Sequence, residues 1–238
     1  MREYRSFQWK EASLRICSEQ ADLIIIEVKR IRDVLEAYIA LQPEFQSSLV
    51  PIELLPGAPG ICARMARAAR ACGVGPMAAV AGAVAQMCVE AALAAGAAEA
   101  IVENGGDIYI ASKAEVAVGL YAGDHPLSGK LAFRIPPDRL PLSVCSSSSR
   151  FGHSFSFGDC DLATIVARDG ALADAAATLA GNSVKTVADV EPTLERIMAI
   201  AGITGVLLMK DDRIGMKGDL PPLARAGDPG FEAKTLHN

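Results

Sequence analysis

The stretch Ile101-Val102-Glu103-Asn104-Gly105-Gly106-Asp107-Ile108-Tyr109-Ile110 constrains this chain most. Two apolar runs flank a polar knot. The runs predict strands, and the knot predicts the turn between them or the mouth of a cleft. Paired glycines let the backbone take positive φ and approach another group closely. Three acid or amide side chains beside such a backbone can hold a metal, a sugar hydroxyl or a purine edge. The same Asn and Asp can instead bond their own turn backbone, as in any tight hairpin. The residues by themselves leave both readings open.

The 238 residues suffice for one large domain or two small ones. Apolar residues make up 51% but aromatics only 5%, so the core must rest on Ala, Val, Ile and Leu. The net charge of -5, with no Lys/Arg block, argues against a nucleic-acid partner. Small phosphorylated or neutral ligands stay open. Cys17, Cys62, Cys72, Cys88, Cys145 and Cys160 form no Cys-x-x-Cys pair, and no His cluster accompanies them. That spacing argues against a zinc site or a disulfide framework. Cys62, Cys72 and Cys88 sit in Ala-rich helical stretches and read as small core residues. Free thiols suit a reducing cytoplasm. The N-terminus lacks the apolar run of a signal peptide. The most hydrophobic stretch, 74–102, carries Gln86, Glu90 and Glu99 and reads as a buried helix, with no membrane span.

In chain order, Tyr4–Trp9, Leu14–Cys17 and Leu23–Val28 predict a three-strand meander, with Ile24-Ile25-Ile26 buried on both faces. A helix is expected over 29–41, ended by Pro43. Residues 43–60 are a proline-bearing linker. The next helix, 60–72, places Arg64, Arg67 and Arg70 on a drifting stripe, which reads as a solvated face. The run Gly73-Val74-Gly75-Pro76-Met77 opens the long apolar helix, and the free N–H groups at such an N-terminus attract anions. It is neither a Walker nor a Rossmann motif.

Beyond the central stretch, strands are expected over 116–121, 131–135, 142–145 and 162–167. The third opens into Ser146-Ser147-Ser148-Ser149-Arg150-Phe151-Gly152-His153. Four serines beside a histidine can ring a ligand with donors; no G-x-S-x-G elbow supports a nucleophile. The helix over 171–182 carries Asp174 and Thr178 four residues apart, hence on one face. Such oxygens can grip a hard cation such as Mg2+. Equally, Asp174 can favour the helix dipole while Thr178 bonds back to a carbonyl. A helix over 189–202 and a hairpin over 206–216, turned at Asp211-Asp212, complete the pattern. The expected domain is 1–220, with 221–238 a loose tail.

Three segments in this order, 73–83, 103–108 and 173–178, resemble the ApbE superfamily. The chain is more closely similar to its cytoplasmic branch, a numbered UPF family, to which the Cys145–Ser148 and Gly152–Gly158 pieces also fit. The resemblance covers residues 3–216 and implies an α+β fold, ApbE-like and T-fold-related, of antiparallel sheets packed with helices. ApbE itself is a Mg-dependent FAD:protein FMN transferase. The resemblance places Gly75, Met77, Glu103, Asn104, Gly105, Gly106, Asp107, Ser146 and Ser147 around a flavin- or nucleotide-like phosphorylated ligand such as FAD. Asp174 and Thr178 become Mg2+ ligands. Candidates for catalysis are His153, Ser147 and Cys145. ApbE-type enzymes carry a His-x-x-Asp-Pro-x-Thr-Gly segment that this chain lacks between His153 and Asp159, so FMN transfer to a protein threonine is not expected. A sulfur-handling or non-catalytic binding protein using Cys145 and Cys160 is the alternative. A cytoplasmic homo-oligomer, a homodimer in the simplest case, is expected, with neither nucleic acid nor membrane as partner.

Overall fold

The computed structural model describes residues 2–10, 12–148 and 158–225. Its centre is an eight-stranded antiparallel sheet in the order β1-β2-β3-β4-β7-β8-β9-β10. These strands are β1 (Arg5–Trp9), β2 (Ala12–Ser18), β3 (Ala100–Asn104), β4 (Asp107–Ala111), β7 (Leu142–Ser147), β8 (Leu162–Ala167), β9 (Ile203–Lys210) and β10 (Arg213–Gly218). A second sheet, β11-β6-β5, is built from β5 (Val116–Leu120), β6 (Leu131–Ile135) and β11 (Leu223–Arg225). The α+β architecture of antiparallel sheets packed with helices is therefore as the sequence implied.

Helices cover one face of the large sheet and the small sheet covers part of the other. The helices are α1 (Ala21–Leu41), α2 (Glu44–Ser47), α3 (Gly60–Cys72), α4 (Val80–Ala94), α5 (Gly170–Ser183) and α6 (Val190–Met198). Successive strand residues point to opposite faces. Val102, Tyr109, Cys145 and Ile165 enter the helix-side core. Ile101, Ile108, Val144 and Leu162 enter the core beneath the small sheet. The central strands are thus buried on both faces, which explains their unbroken apolar character.

The helix layer is made of small residues. Alanines 171, 173, 175, 176, 177 and 180 of α5 are all buried. Where α5 crosses α4, a Cβ on Gly82 would lie 2.1 Å from the Gly170 carbonyl oxygen. Only backbones lacking side chains at that crossing can approach so closely. The segment Pro76–Ala94 is long and apolar enough to cross a membrane by length and composition. Here it begins as a 3-10 turn, Pro76–Ala79, and α4 packs against α1, α5, β3 and β4.

Three expectations need correction. Leu23–Val28 is no strand but the opening of α1. Ile24, Val28, Ile31, Leu35 and Tyr38 are buried at helical spacing, whereas Ile26 is 68% exposed. The consecutive isoleucines hid that period, and packing overrode their strand propensity. The last helix is shorter than expected; a capping box of Thr186 and Asp189 precedes α6, which ends at Met198. Part of the expected loose tail is ordered: Leu223–Arg225 pairs with β6, and the Arg134 amide donates to the Pro222 carbonyl at 2.8 Å. Residues 226–238 lie outside the described residues.

Candidate functional site

The β3–β4 hairpin is the turn anticipated for 103–107. Gly105 and Gly106 form its two-residue loop with φ of 65° and 102°, and Asn104 pairs with Asp107 across it. Positive φ at both loop positions is the type I′ requirement that glycine meets without strain. Strand alternation then divides the polar knot. Asn104 and Asp107 share the register of Val102 and Tyr109 and face the helices; Glu103 shares that of Ile101 and faces the small sheet. The residues expected around one ligand therefore lie on two sides of the sheet.

On the helix side, the turn meets the start of α4 and the middle of α5. Asn104 Nδ2 donates to the Ala81 carbonyl at 3.3 Å. The Gly82 amide donates to Asp174 Oδ2 at 2.9 Å. The anion expected at the N-terminus of α4 is thus, in part, the protein's own carboxylate. Burial pushes the Asp174 carboxyl up to about 7, although the amides of Gly82 and Ala81 pull it down. Asp107 is raised well above the ordinary carboxylate value, first by burial and then by the charge of Asp174. Its Oδ1 is buried with no hydrogen-bond partner among the described residues. Thr178, one turn beyond Asp174, is half-buried.

The donor set suits a hard cation. Two carboxylates bear on each other electrostatically, one oxygen has no partner among the described residues, and a hydroxyl stands one helical turn away. A divalent cation is stabilised by such oxygens and removes their mutual repulsion. The described residues include no cluster of three His, Cys, Asp or Glu side chains able to hold a metal. Further ligands would therefore come from backbone carbonyls, water or a bound anion.

Gly75 and Met77 play another part than the one expected. A Cβ on Gly75 would lie 1.8 Å from the Ser48 carbonyl oxygen, so its close approach is to the chain itself. Met77 is half-buried against the helix-side core. The arginine stripe is a solvated face, as read: Arg64 pairs with Glu90, Arg67 with Asp169 and Arg70 with Glu53.

On the other side, a pocket of about 270 Å³ lies between the sheets. Glu103, the Gly105–Gly106 turn and Ser146, Ser147 and Ser148 line it with Ile108, Val118, Val144 and Leu162. Gly119 and Tyr121, from the β5 end, complete the wall. Ser146 Oγ is held by Thr164 Oγ1 at 2.9 Å. Glu103 Oε2 is 3.9 Å from Arg15 Nη1, and both atoms are buried without a hydrogen-bond partner. Burial raises the Glu103 carboxyl, and Arg15 pulls it down. Arg15, Tyr121 and Thr164 were missed from sequence. Arg15 had no local signal, since its pairing with Glu103 is a long-range register match between β2 and β3.

The surroundings of the thiols disfavour the sulfur alternative. All six cysteines are buried thiols. Burial, followed by the charges of Asp107 and Asp174, raises the Cys145 thiol well above its ordinary value. Burial pushes Cys160 up to about 12. A thiol so protonated and enclosed is not a nucleophile at neutral pH. Ser147 Oγ would stand 3.1 Å from a Cβ on Gly181 of α5, so it faces the helix layer. His153 lies outside the described residues.

A family model described as "AbpE bacteria" matches residues 4–202. A UPF0280 protein of Methanocella arvoryzae is 41% identical, over 95% of this chain and 93% of that one. One from Archaeoglobus fulgidus is 42% identical, over 95% and 96%. Among solved structures, the ApbE protein of Thermotoga maritima superposes with a TM-score of 0.57 at 13% identity, covering 92% of this chain and 97% of that one. The flavin transferase ApbE from Vibrio cholerae gives 0.50 at 13% identity, covering 92% and 97%. At such identities the likeness concerns the fold.

Proposed function

The chain belongs to the UPF0280 family, and from that premise we propose that it binds a flavin- or nucleotide-like phosphorylated ligand with Mg2+ at the meeting point of the β3–β4 turn, α4 and α5. The observation that carries this reading is the buried carboxylate pair. Asp107 and Asp174 raise the cost of each other's charge, and Asp107 Oδ1 has no partner among the described residues. Leaving such an oxygen unpaired costs about 1–3 kcal/mol, more if it is ionised, and a cation there offsets it. Asp107, Asp174 and the Thr178 hydroxyl would hold the ion. When bound, Mg2+ would neutralise phosphate charge and support phosphoryl or nucleotidyl transfer.

The chain's own residues set the rest. Gly82 fixes Asp174 through its amide, and Asn104 ties the turn to the Ala81 carbonyl, so the two carboxyl-bearing elements keep their spacing. Flavin enters as a ligand class through the distant likeness to the Vibrio cholerae protein, a flavin transferase. Covalent transfer of FMN to an acceptor threonine is not part of the proposal, because the His-x-x-Asp-Pro segment is absent from the sequence.

Calorimetric titration of wild type and Asp174→Ala with Mg2+, with and without FAD or ADP, tests the reading. Ligand-dependent Mg2+ binding in the wild type and its loss in the variant are expected. Alanine is a good helix former, so the helix itself should tolerate the change. Equal metal binding in both proteins, or none in either, would refute the site.

A further inference from the structure

Among the described residues the two sheets end in four strand edges, and the charges along them differ. β10, at one end of the large sheet, carries Arg213 and Lys217. Antiparallel pairing of two copies centred on Gly215 would set Arg213 against the partner's Lys217, and like charges directly opposite destabilise a sheet. β1, at the other end, is bordered by α1, whose Asp22 and Glu36 reach Arg5 and Lys10 and whose Lys29 lies over the Trp9 ring. β11 has only three residues and ends on Arg225. Charge and shortness of this kind are how native proteins guard an edge.

β5 has no such guard. Its five residues, Val116-Ala117-Val118-Gly119-Leu120, are uncharged, and it ends the small sheet. Val116, Val118 and Leu120 are buried in the core beneath that sheet, whereas Ala117 and Gly119 are exposed. The Gly129 amide donates to the Leu120 carbonyl, so Leu120 turns its backbone toward β6. In an antiparallel strand the N–H and C=O of one residue point to the same side, and successive residues alternate. Val116, Val118 and Leu120 therefore serve the β6 ladder, and the polar backbone groups of Ala117 and Gly119 point off the edge. A Cβ added to Gly119 meets nothing within 4 Å, so the approach to this edge is open.

We propose that β5 is the seam of a homodimer, in which two copies pair this strand antiparallel about a two-fold axis at Val118. Val116 then stands opposite the partner's Leu120, and Ala117 opposite the partner's Gly119. Each Ala117–Gly119 pair exchanges both of its N–H···O=C bonds. A two-fold interface must be complementary to itself, and this strand is: no charged residue of one copy faces a like charge of the other. One residue beyond the strand, Tyr121 comes opposite the partner's Glu115. Each copy thus brings a carboxylate-bearing residue beside the Tyr121 wall of the other's pocket. The seam is small. Two short strands bury less than the ~800 Å² per partner of a standard stable interface, so the dimer is concentration-dependent.

Sedimentation velocity of the whole chain from about 10 µM to about 1 mM, the range a small interface calls for, should show monomer passing to dimer. Hydrogen exchange at the Ala117 and Gly119 amides should slow along the same series. The Val116 and Val118 amides, bonded within the sheet already, should not change. Gly119→Pro removes one edge N–H and nothing from the β5–β6 ladder, an orientation in which edge strands tolerate proline. It should weaken dimerisation about tenfold, because the symmetry removes the bond from both sides. Gly119→Ala, whose methyl enters open space, should dimerise like the wild type. A wild type that stays monomeric at every concentration overturns the seam and leaves this edge to a foreign strand. A dimer that Gly119→Pro leaves intact, or that forms without protecting those two amides, also overturns it. Should Gly119→Pro fail to fold, Gly119→Lys decides: two lysines on one face across the axis repel, and a dimer of unchanged strength in that variant refutes the seam.

Discussion

Gly82 and Asp174 form the joint between the first turn of α4 and the middle of α5. The Gly82 amide donates to Asp174 Oδ2 at 2.9 Å, and a Cβ on Gly82 would lie 2.8 Å from the Asp174 Cβ. One glycine thus sets both the helix crossing and the position of a candidate metal ligand.

Gly82→Ala should destabilise the protein. The added methyl would meet the Gly170 carbonyl oxygen at 2.1 Å, and backbone cannot swing aside as a side chain can. Overpacking of this kind costs about 1–3 kcal/mol, occasionally more. Urea unfolding should show a lower midpoint at an unchanged slope. A midpoint equal to the wild type would mean the helices part without cost.

Stability without metal should fall as pH rises from about 4 to about 7. Asp174 moves from an ordinary 3.8 to about 7 in the folded state, and Asp107 moves upward as well. Across that window the folded chain holds more protons than the unfolded chain, so each rise in pH favours unfolding. The slope approaches roughly 1.4 kcal/mol per pH unit for each such group. Asp174→Asn should flatten the profile while keeping an acceptor for the Gly82 amide. Mg2+ affinity should rise over the same window, because the metal needs deprotonated ligands. Denaturation midpoints from pH 4 to 8 decide this, and identical profiles for both proteins would rule out Asp174 as the titrating group.

The six thiols should resist alkylation in the native protein. All are buried, and burial pushes Cys62 up to about 11 and Cys72 and Cys160 up to about 12. Intact mass after iodoacetamide should stay at the unmodified value in buffer and gain six adducts in denaturant. Rapid labelling of Cys145 in buffer would reopen a thiol chemistry that the enclosed geometry disfavours.

Much of this architecture was legible in the chain. The span 60–72 was read as the helix it is, and the strands over 131–135 and 162–167 appear with those bounds. These segments carry local signals: a proline before α3 and a left-handed Gly73 after it, and short, mostly apolar runs in the two strands. Leu23–Val28 misled because its isoleucines suit either period, and only the partners of Ile24 and Val28 select the helix. Leu223–Arg225 misled because three residues form a strand only beside an existing edge, here β6.

The sequence by itself determined the β3–β4 turn, since Asn104, Gly105, Gly106 and Asp107 write their own hairpin through glycine's tolerance of positive φ. It also determined that Asp174 and Thr178 share a helical face. Tertiary structure decided what those residues face. Strand alternation sent Glu103 toward the small sheet and Asp107 toward the helices, and a 92-residue separation along the chain was closed to bring Gly82 onto Asp174. Pairing Glu103 with Arg15 likewise depends on the register of two distant strands. Local propensity acts over a few residues, whereas register and helix crossing are set by burying apolar area between segments far apart in the chain, and the division of the polar knot between two compartments follows from them.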